Sequence, residues 1–227
     1  MTAEDNRAIV PAVAPVVTLS APYGTGGSRI GPAVAERLGL PFLDRAIPVA
    51  VAESLAVPLR DAIAHDDRRE AGIGRALAAL ALSALPYGAL DIVPGETGYD
   101  EHVFRERTEQ VIRTMAETSG GVVLGRAGAI VLAVHPSALH VRLDGPVEAR
   151  VAAVLGEGID EATARRQLEE TDRARDAYVR HFYRCDPHDR RLYHLVVDST
   201  ALDHGTCVDL IVTAAKAKTG AVAVGSG

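Results

Sequence analysis

Five consecutive residues, Gly24-Thr25-Gly26-Gly27-Ser28, come shortly after the apolar run VVTLSA, which begins at Val16, and lead into a helical pattern over Ser28 to Leu38. Glycine reaches backbone angles that other residues avoid, so successive N–H groups can turn toward one centre. A helix that starts there adds its own amides and the positive end of its dipole. The chemistry such a segment offers is anion binding. Set against the phosphate-cradling pattern G-x-x-x-x-G-K-[ST], Ala21 stands for the first glycine and Gly26 for the second. Gly27 stands for the lysine, and Ser28 supplies the Mg²⁺-binding hydroxyl. The lysine's point charge is lost while the amides stay, and Arg29 in the first helical turn is the nearest cation that could replace it. Two other readings stay open. Gly24 and Gly26 start a dinucleotide-type G-x-G with Asp44 at the end of the next strand, although Arg29 takes the place of the third glycine. A tight strand-to-helix turn without ligand is the third.

Arg126 directly follows the run GVVLG, which puts it either at a ligand-binding strand edge or on the plain surface. Asp44 is a helix N-cap or a contact to an acceptor or metal. Arg165, Arg166, Arg173, Arg175, Arg180 and Arg184 alternate with Glu169, Glu170, Asp172 and Asp176. Mobile arginines of this kind can neutralise a transferring phosphoryl group, but the same mixture makes i,i+4 pairs on a solvated helix. His181, Cys185 and His188 have a spacing suggestive of zinc without a fourth ligand, and they are read as a polar loop.

The elements that must position these residues follow from hydrophobic pattern. Strands are expected at VVTLSA, PFLDR from Pro41, GVVLGR from Gly121, ALHVRLDG from Ala138 and YHLVVDST from Tyr193. Most are near-continuously apolar, as strands buried on both faces are. Helical patterns cover Ser28 to Leu38, Val103 to Glu117, Pro146 to Leu155 and Thr206 to Lys218. Alternation of the two implies a parallel sheet with helices on both faces. The spacing is uneven, so a helical insertion is expected at 46–118 and a mobile charged one at 157–192. Residues 1–14 and 219–227 are expected to be flexible ends around a single domain at 15–218.

Composition bounds the function classes. The 227 residues are 48% hydrophobic with net charge −6, so a sizeable core is available and no positive field attracts nucleic acid or an anionic membrane. The two cysteines, Cys185 and Cys207, form no disulfide framework. No basic, then apolar, leader opens the chain. Its longest apolar stretch, ALAALALSAL from Ala76, falls short of the ~20 residues a spanning helix needs. A cytoplasmic protein is expected. The segment GIGRALAALALSALPYG from Gly72 is a buried helix or a homodimer face.

Three segments, LSAPYGTGGSRIGPAVAERLGLPFLDR, VVLGRAGAIVL and TDRARDAYVRHFYRCDPHDRRLYHLVVDST, occur in the order and spacing of the cytidylate-kinase-like family, which the chain resembles over about residues 15 to 217. In that family the loop commonly lacks its lysine. The resemblance implies a three-layer α/β P-loop kinase fold with a five-stranded parallel sheet, a helical acceptor-binding insertion at 46–118 and a lid at 157–192. It implies ATP- and Mg²⁺-dependent phosphoryl transfer to a nucleoside monophosphate, CMP-like, or a related small acceptor. Tyr23, Gly24, Thr25, Gly26, Gly27 and Ser28 would take the nucleotide, with Ser28 on Mg²⁺. Arg126 matches an arginine that contacts the acceptor; Asp44, Arg45, Asp172 and Tyr178 would join it. Arg29, Arg173 and Arg175 would neutralise charge in transfer. Leu124 stands where cytidylate kinases have an aspartate, and the Ser-Gly that follows their Leu-Asp is absent after Asp44. The alternative is a non-catalytic nucleotide-binding regulator. Partners are small-molecule nucleotides, without nucleic acid or membrane.

Overall fold

The computed structural model describes residues 14–44, 101–125, 127–155, 158 and 160–225. Its strands are β1 (Val16–Ser20), β2 (Phe42–Leu43), β3 (Gly121–Leu124), β4 (Ala138–Asp144) and β5 (Leu195–Asp198). All five expected strands form, each within the apolar run that predicts it. They make one parallel sheet in the order β2-β3-β1-β4-β5. Strand order reverses at β1, so the crevice in which open α/β sheets bind ligands lies beyond its carboxyl end, where the glycine segment begins.

The helices are α1 (Gly27–Leu38), α2 (Glu101–Thr118), α3 (Gly128–Val131), α4 (Val147–Leu155), α5 (Glu161–Tyr183) and α6 (His204–Gly225). Side chains alternate across the sheet and build three layers. Val17, Leu19, Val122, Leu124, Val141 and Leu143 face Ile30 and Val34 of α1 and Val208, Ile211 and Val212 of α6. Val16, Val123 and Ala138 face Ile112, Met115 and Ala116 of α2 together with Val131 and Leu132 around α3. Each fully buried Val, Leu or Ile contributes about 1.5–3 kcal/mol, which makes these two faces the main source of stability. A third cluster joins α4 to α5 through Val151, Val154, Ala164 and Leu168, with Tyr23 packed against it.

Two segments take up helix. The 157–192 segment holds a 23-residue helix, α5, followed by a 3-10 turn at Arg190–Leu192. Its charges are compatible with helix because they pair at i,i+4: Arg165 with Glu161, Arg173 with Glu169 and Arg180 with Asp176. Asp160 caps the first turn, its side chain accepting from the Thr163 N–H. The 219–227 segment, expected as a loose tail, is helical through Gly225, because extending a helix already nucleated costs far less than starting one and Ala and Val allow it. Most of the 46–118 insertion, including the segment from Gly72, lies outside the described residues, as does nearly all of 1–14.

Candidate active site

Gly24 and Gly26 have φ of +80° and +71°, the left-handed region that glycine alone enters without strain. Thr25 between them is buried. Its N–H and Oγ1 both donate to the Pro22 carbonyl, at 3.3 and 2.7 Å, and its own carbonyl accepts from Ser199 Oγ at 2.8 Å. Gly26 is the N-cap of α1 and has no side chain to satisfy the first amides. The N–H groups of Arg29 and Ile30 return to the Gly26 carbonyl at 2.9 Å. Those of Gly24, Gly26, Gly27 and Ser28 find no protein acceptor among the described residues. Four such donors at a helix N-terminus suit a phosphate chain. On the side where a Cβ would project, protein fills the space. A Cβ at Gly24 would lie 2.6 Å from the Arg150 carbonyl oxygen, and one at Gly26 would lie 2.6 Å from His204 Nε2.

The approach to the loop is fastened by α4 and α5. The Tyr23 N–H donates to Asp172 Oδ1 at 2.8 Å, and its hydroxyl donates to Gln167 Oε1 at 2.6 Å. Arg150 of α4 donates from Nη1 to the Tyr23 carbonyl at 3.1 Å and to Asp172 Oδ2 at 2.6 Å, and from Nε to the Gly145 carbonyl at 3.1 Å. Arg175 donates from Nη1 to the Ala21 carbonyl at 2.5 Å. The segment before the glycines is therefore tied to α5 by three hydrogen bonds, at Ala21 and Tyr23.

Of the residues expected at the site, Tyr23 through Ser28, Arg29, Asp172 and Arg175 are gathered at the end of β1. Ser28 and Arg29 are exposed in the first turn of α1. Arg173, by contrast, is 74% exposed and pairs with Glu169 at 2.6 Å. Both carboxylate oxygens of Asp172 are engaged with Tyr23 and Arg150, which makes it a fastener of the loop. The Tyr178 ring is buried, edge-on to Phe182 with centroids 5.0 Å apart. Asp44 directly follows β2 and is exposed. Arg45 and Arg126 lie outside the described residues. The chain on either side of Arg126 turns sharply, with Gly125 and Ala127 both at positive φ and the Gly125 N–H on the Leu19 carbonyl at 2.8 Å.

Sequence reasoning missed Arg150, Ser199 and His204. A signal for Arg150 existed: it shares a helical face with Val151 and Val154, where an apolar residue belongs. Nothing local marks the other two.

The Ser28 hydroxyl, exposed and without a protein partner among the described residues, can serve as one ligand of a nucleotide-borne Mg²⁺. Among those residues no group of three or more His, Cys, Asp or Glu could hold a metal ion. Leu124, which stands where cytidylate kinases have an aspartate, is buried against the α1 side of the core. The residues present therefore fit an ion carried mainly by phosphate oxygens and water. His188, once a zinc candidate, bridges Asp176 through Nε2 at 2.7 Å and Arg142 through Nδ1 at 3.0 Å. Burial pushes the Cys185 and Cys207 thiols up, which favours their protonated form.

The model of the cytidylate kinase-like family matches residues 16–201, from β1 past the end of β5. The chain belongs to the cytidylate kinase-like family. Among solved structures, this cytidylate kinase-like chain is similar to an uncharacterized protein from Eubacterium ventriosum, with TM-score 0.62 and 18% identity over 89% of this chain and 98% of that one. Shikimate kinase from Bacteroides thetaiotaomicron aligns with TM-score 0.46 and 12% identity over 88% and 94% of the two chains. A stretch of 109 residues is 32% identical to uronate isomerase of Corynebacterium glutamicum, spanning 48% of this chain and 21% of that protein. The chain thus spans about a fifth of the length of that relative, and the isomerase activity is not carried over. Family and fold together support nucleotide-dependent phosphoryl transfer in general terms.

Proposed function

We propose that this cytidylate kinase-like protein transfers the γ-phosphoryl group of ATP to a nucleoside monophosphate, CMP-like, or to a related small phosphorylated or hydroxylated acceptor. The observation that carries the reading is the set of four main-chain N–H groups at the N-terminus of α1, from Gly24, Gly26, Gly27 and Ser28, without a protein acceptor among the described residues. Phosphoryl transfer asks chiefly for positioning and for positive charge around the equatorial oxygens, and amides with nearby arginines supply both. Magnesium bound with the nucleotide supplies further neutralisation of the phosphate oxygens. In this reading the loop seats the donor, Arg126 and Asp44 contact the acceptor, and Arg29 and Arg175 stand nearest the transferred charge. An ionised phosphate acceptor needs no general base. Its substrates are free nucleotides, and we place it in the cytoplasm.

A second reading, a nucleotide-binding regulator without turnover, is favoured by Gly27 at the lysine position and by Leu124 where cytidylate kinases have an aspartate. ATP consumption across a panel of nucleoside monophosphates, repeated with Arg29→Ala and Arg175→Ala, separates the two. The kinase reading expects turnover on at least one acceptor, reduced in both variants. Binding without turnover on any acceptor favours the regulator, and absence of a thermal shift with ATP and Mg²⁺ removes both.

A further inference from the structure

The backbone of Tyr23, which leads into the glycine loop, is held at both its N–H and its carbonyl by one ion pair. Its N–H donates to Asp172 Oδ1 at 2.8 Å and its carbonyl accepts from Arg150 Nη1 at 3.1 Å. Asp172 Oδ2 and that same Nη1 close the ring at 2.6 Å. The guanidinium of Arg150 also reaches the Gly145 carbonyl, and the carbonyl of Arg150 itself stands where a Cβ on Gly24 would project. The Arg150 side chain is 9% exposed and that of Asp172 24%, so little solvent screens the pair. Three elements meet in this ring: the loop, α4 and α5.

We infer that Arg150 and Asp172 are positioning residues that set the conformation of the nucleotide loop and couple it to the placement of α5, so that nucleotide seating and α5 docking are one equilibrium. A planar guanidinium can bond three acceptors in fixed directions, which a lysine ammonium cannot do with the same geometry. Because its guanidinium is taken up by Asp172 and the carbonyls of Tyr23 and Gly145, Arg150 is not the substitute for the missing lysine. Its effect on phosphate binding passes through the Tyr23 backbone, and the rigidity of that backbone fixes where the next four N–H groups begin.

This inference deepens the proposed donor site and rests on that reading for its binding measurement. MgATP affinity is measured by calorimetry for the full chain, Asp172→Asn, Arg150→Lys and the double variant, with folding checked by circular dichroism. Each single variant is expected to weaken binding about tenfold or more, as loss of a buried charge-assisted contact does. The double variant should be no weaker than the worse single, since both break the same ring. Singles that bind like the parent, or losses that multiply in the double, would overturn the inference. A second readout needs no nucleotide: hydrogen exchange of the peptide covering 19–30, which should quicken in Asp172→Asn. If the parent chain binds no ATP, the proposed function falls, and unchanged exchange in Asp172→Asn would still overturn this inference by itself. Should Arg150→Lys fail to fold, Asp172→Asn, nearly isosteric, carries the test alone.

Discussion

Ala21 occupies the space into which any side chain at residue 27 would start: a Cβ built on Gly27 would lie 2.5 Å from the Cβ of Ala21. In the pattern G-x-x-x-x-G-K-[ST] these are the first glycine and the lysine, so the two departures from it are sterically linked. Glycine at 27 is what alanine at 21 permits.

Gly27→Ala is therefore expected to destabilise the fold by about 1–3 kcal/mol, the usual cost of overpacking. Ala21→Gly in that background should recover most of the loss, and urea denaturation of the two variants measures it. Ala21→Gly with Gly27→Lys, the lysine-bearing loop, should fold better than Gly27→Lys alone and bind ATP more tightly than the parent. Equal stability of the single and double variants would refute the steric link.

Ser199 holds the loop from the side of β5. Its hydroxyl is buried and donates to the Thr25 carbonyl at 2.8 Å. Ser199→Ala should cost about 1–2 kcal/mol by leaving a buried acceptor unpaired, and should also weaken ATP binding. A thermal melt with and without MgATP reads both effects.

Acid should weaken the fold through the sheet interior. His140 of β4, 4% exposed, meets Thr18 Oγ1 through Nδ1 at 2.9 Å and stacks on His194 with centroids 4.9 Å apart. Burial, then the nearby His194 and Lys218, pushes its pKa down to about 4 from the ordinary 6.5. Between those values the unfolded chain holds a proton that the folded chain does not, so stability falls as pH drops from about 7 to about 4. The loss reaches at most about 2 kcal/mol at pH 5. His140→Gln should flatten this limb in denaturation curves taken at pH 7 and pH 5, and an unchanged slope would rule His140 out as its source.

Arg29 is exposed in the first turn of α1, so Arg29→Ala should leave the melting temperature within about 2 °C, as surface changes usually do. If it stands in for the lysine, turnover should fall about tenfold or more while acceptor affinity changes little. Steady-state kinetics against both substrates distinguishes this from a change in binding alone.

The strands and the loop were legible because their signals are local. Runs such as VVTLS and GVVL are apolar and β-branched wherever they are met, and glycines before a helix announce themselves. The fasteners were not legible in the same way. Arg150 and Ser199 act on residues 127 and 174 positions upstream. Only the fold brings such pairs together. The charged segment of α5 stayed ambiguous for a related reason: its arginines look alike in sequence, but helix phase sends Arg175 to the Ala21 carbonyl and Arg173 to Glu169.

The Thr25–Ser199 bond also bears on synthesis of the chain. The glycines leave the ribosome more than a hundred residues ahead of Arg150, Asp172 and Ser199. A nascent protein halted after β4 would expose the loop without its anchors. Competence to grip a nucleotide should thus arise abruptly, near completion of β5, and a truncation series assayed for retention on immobilised ATP would show that threshold.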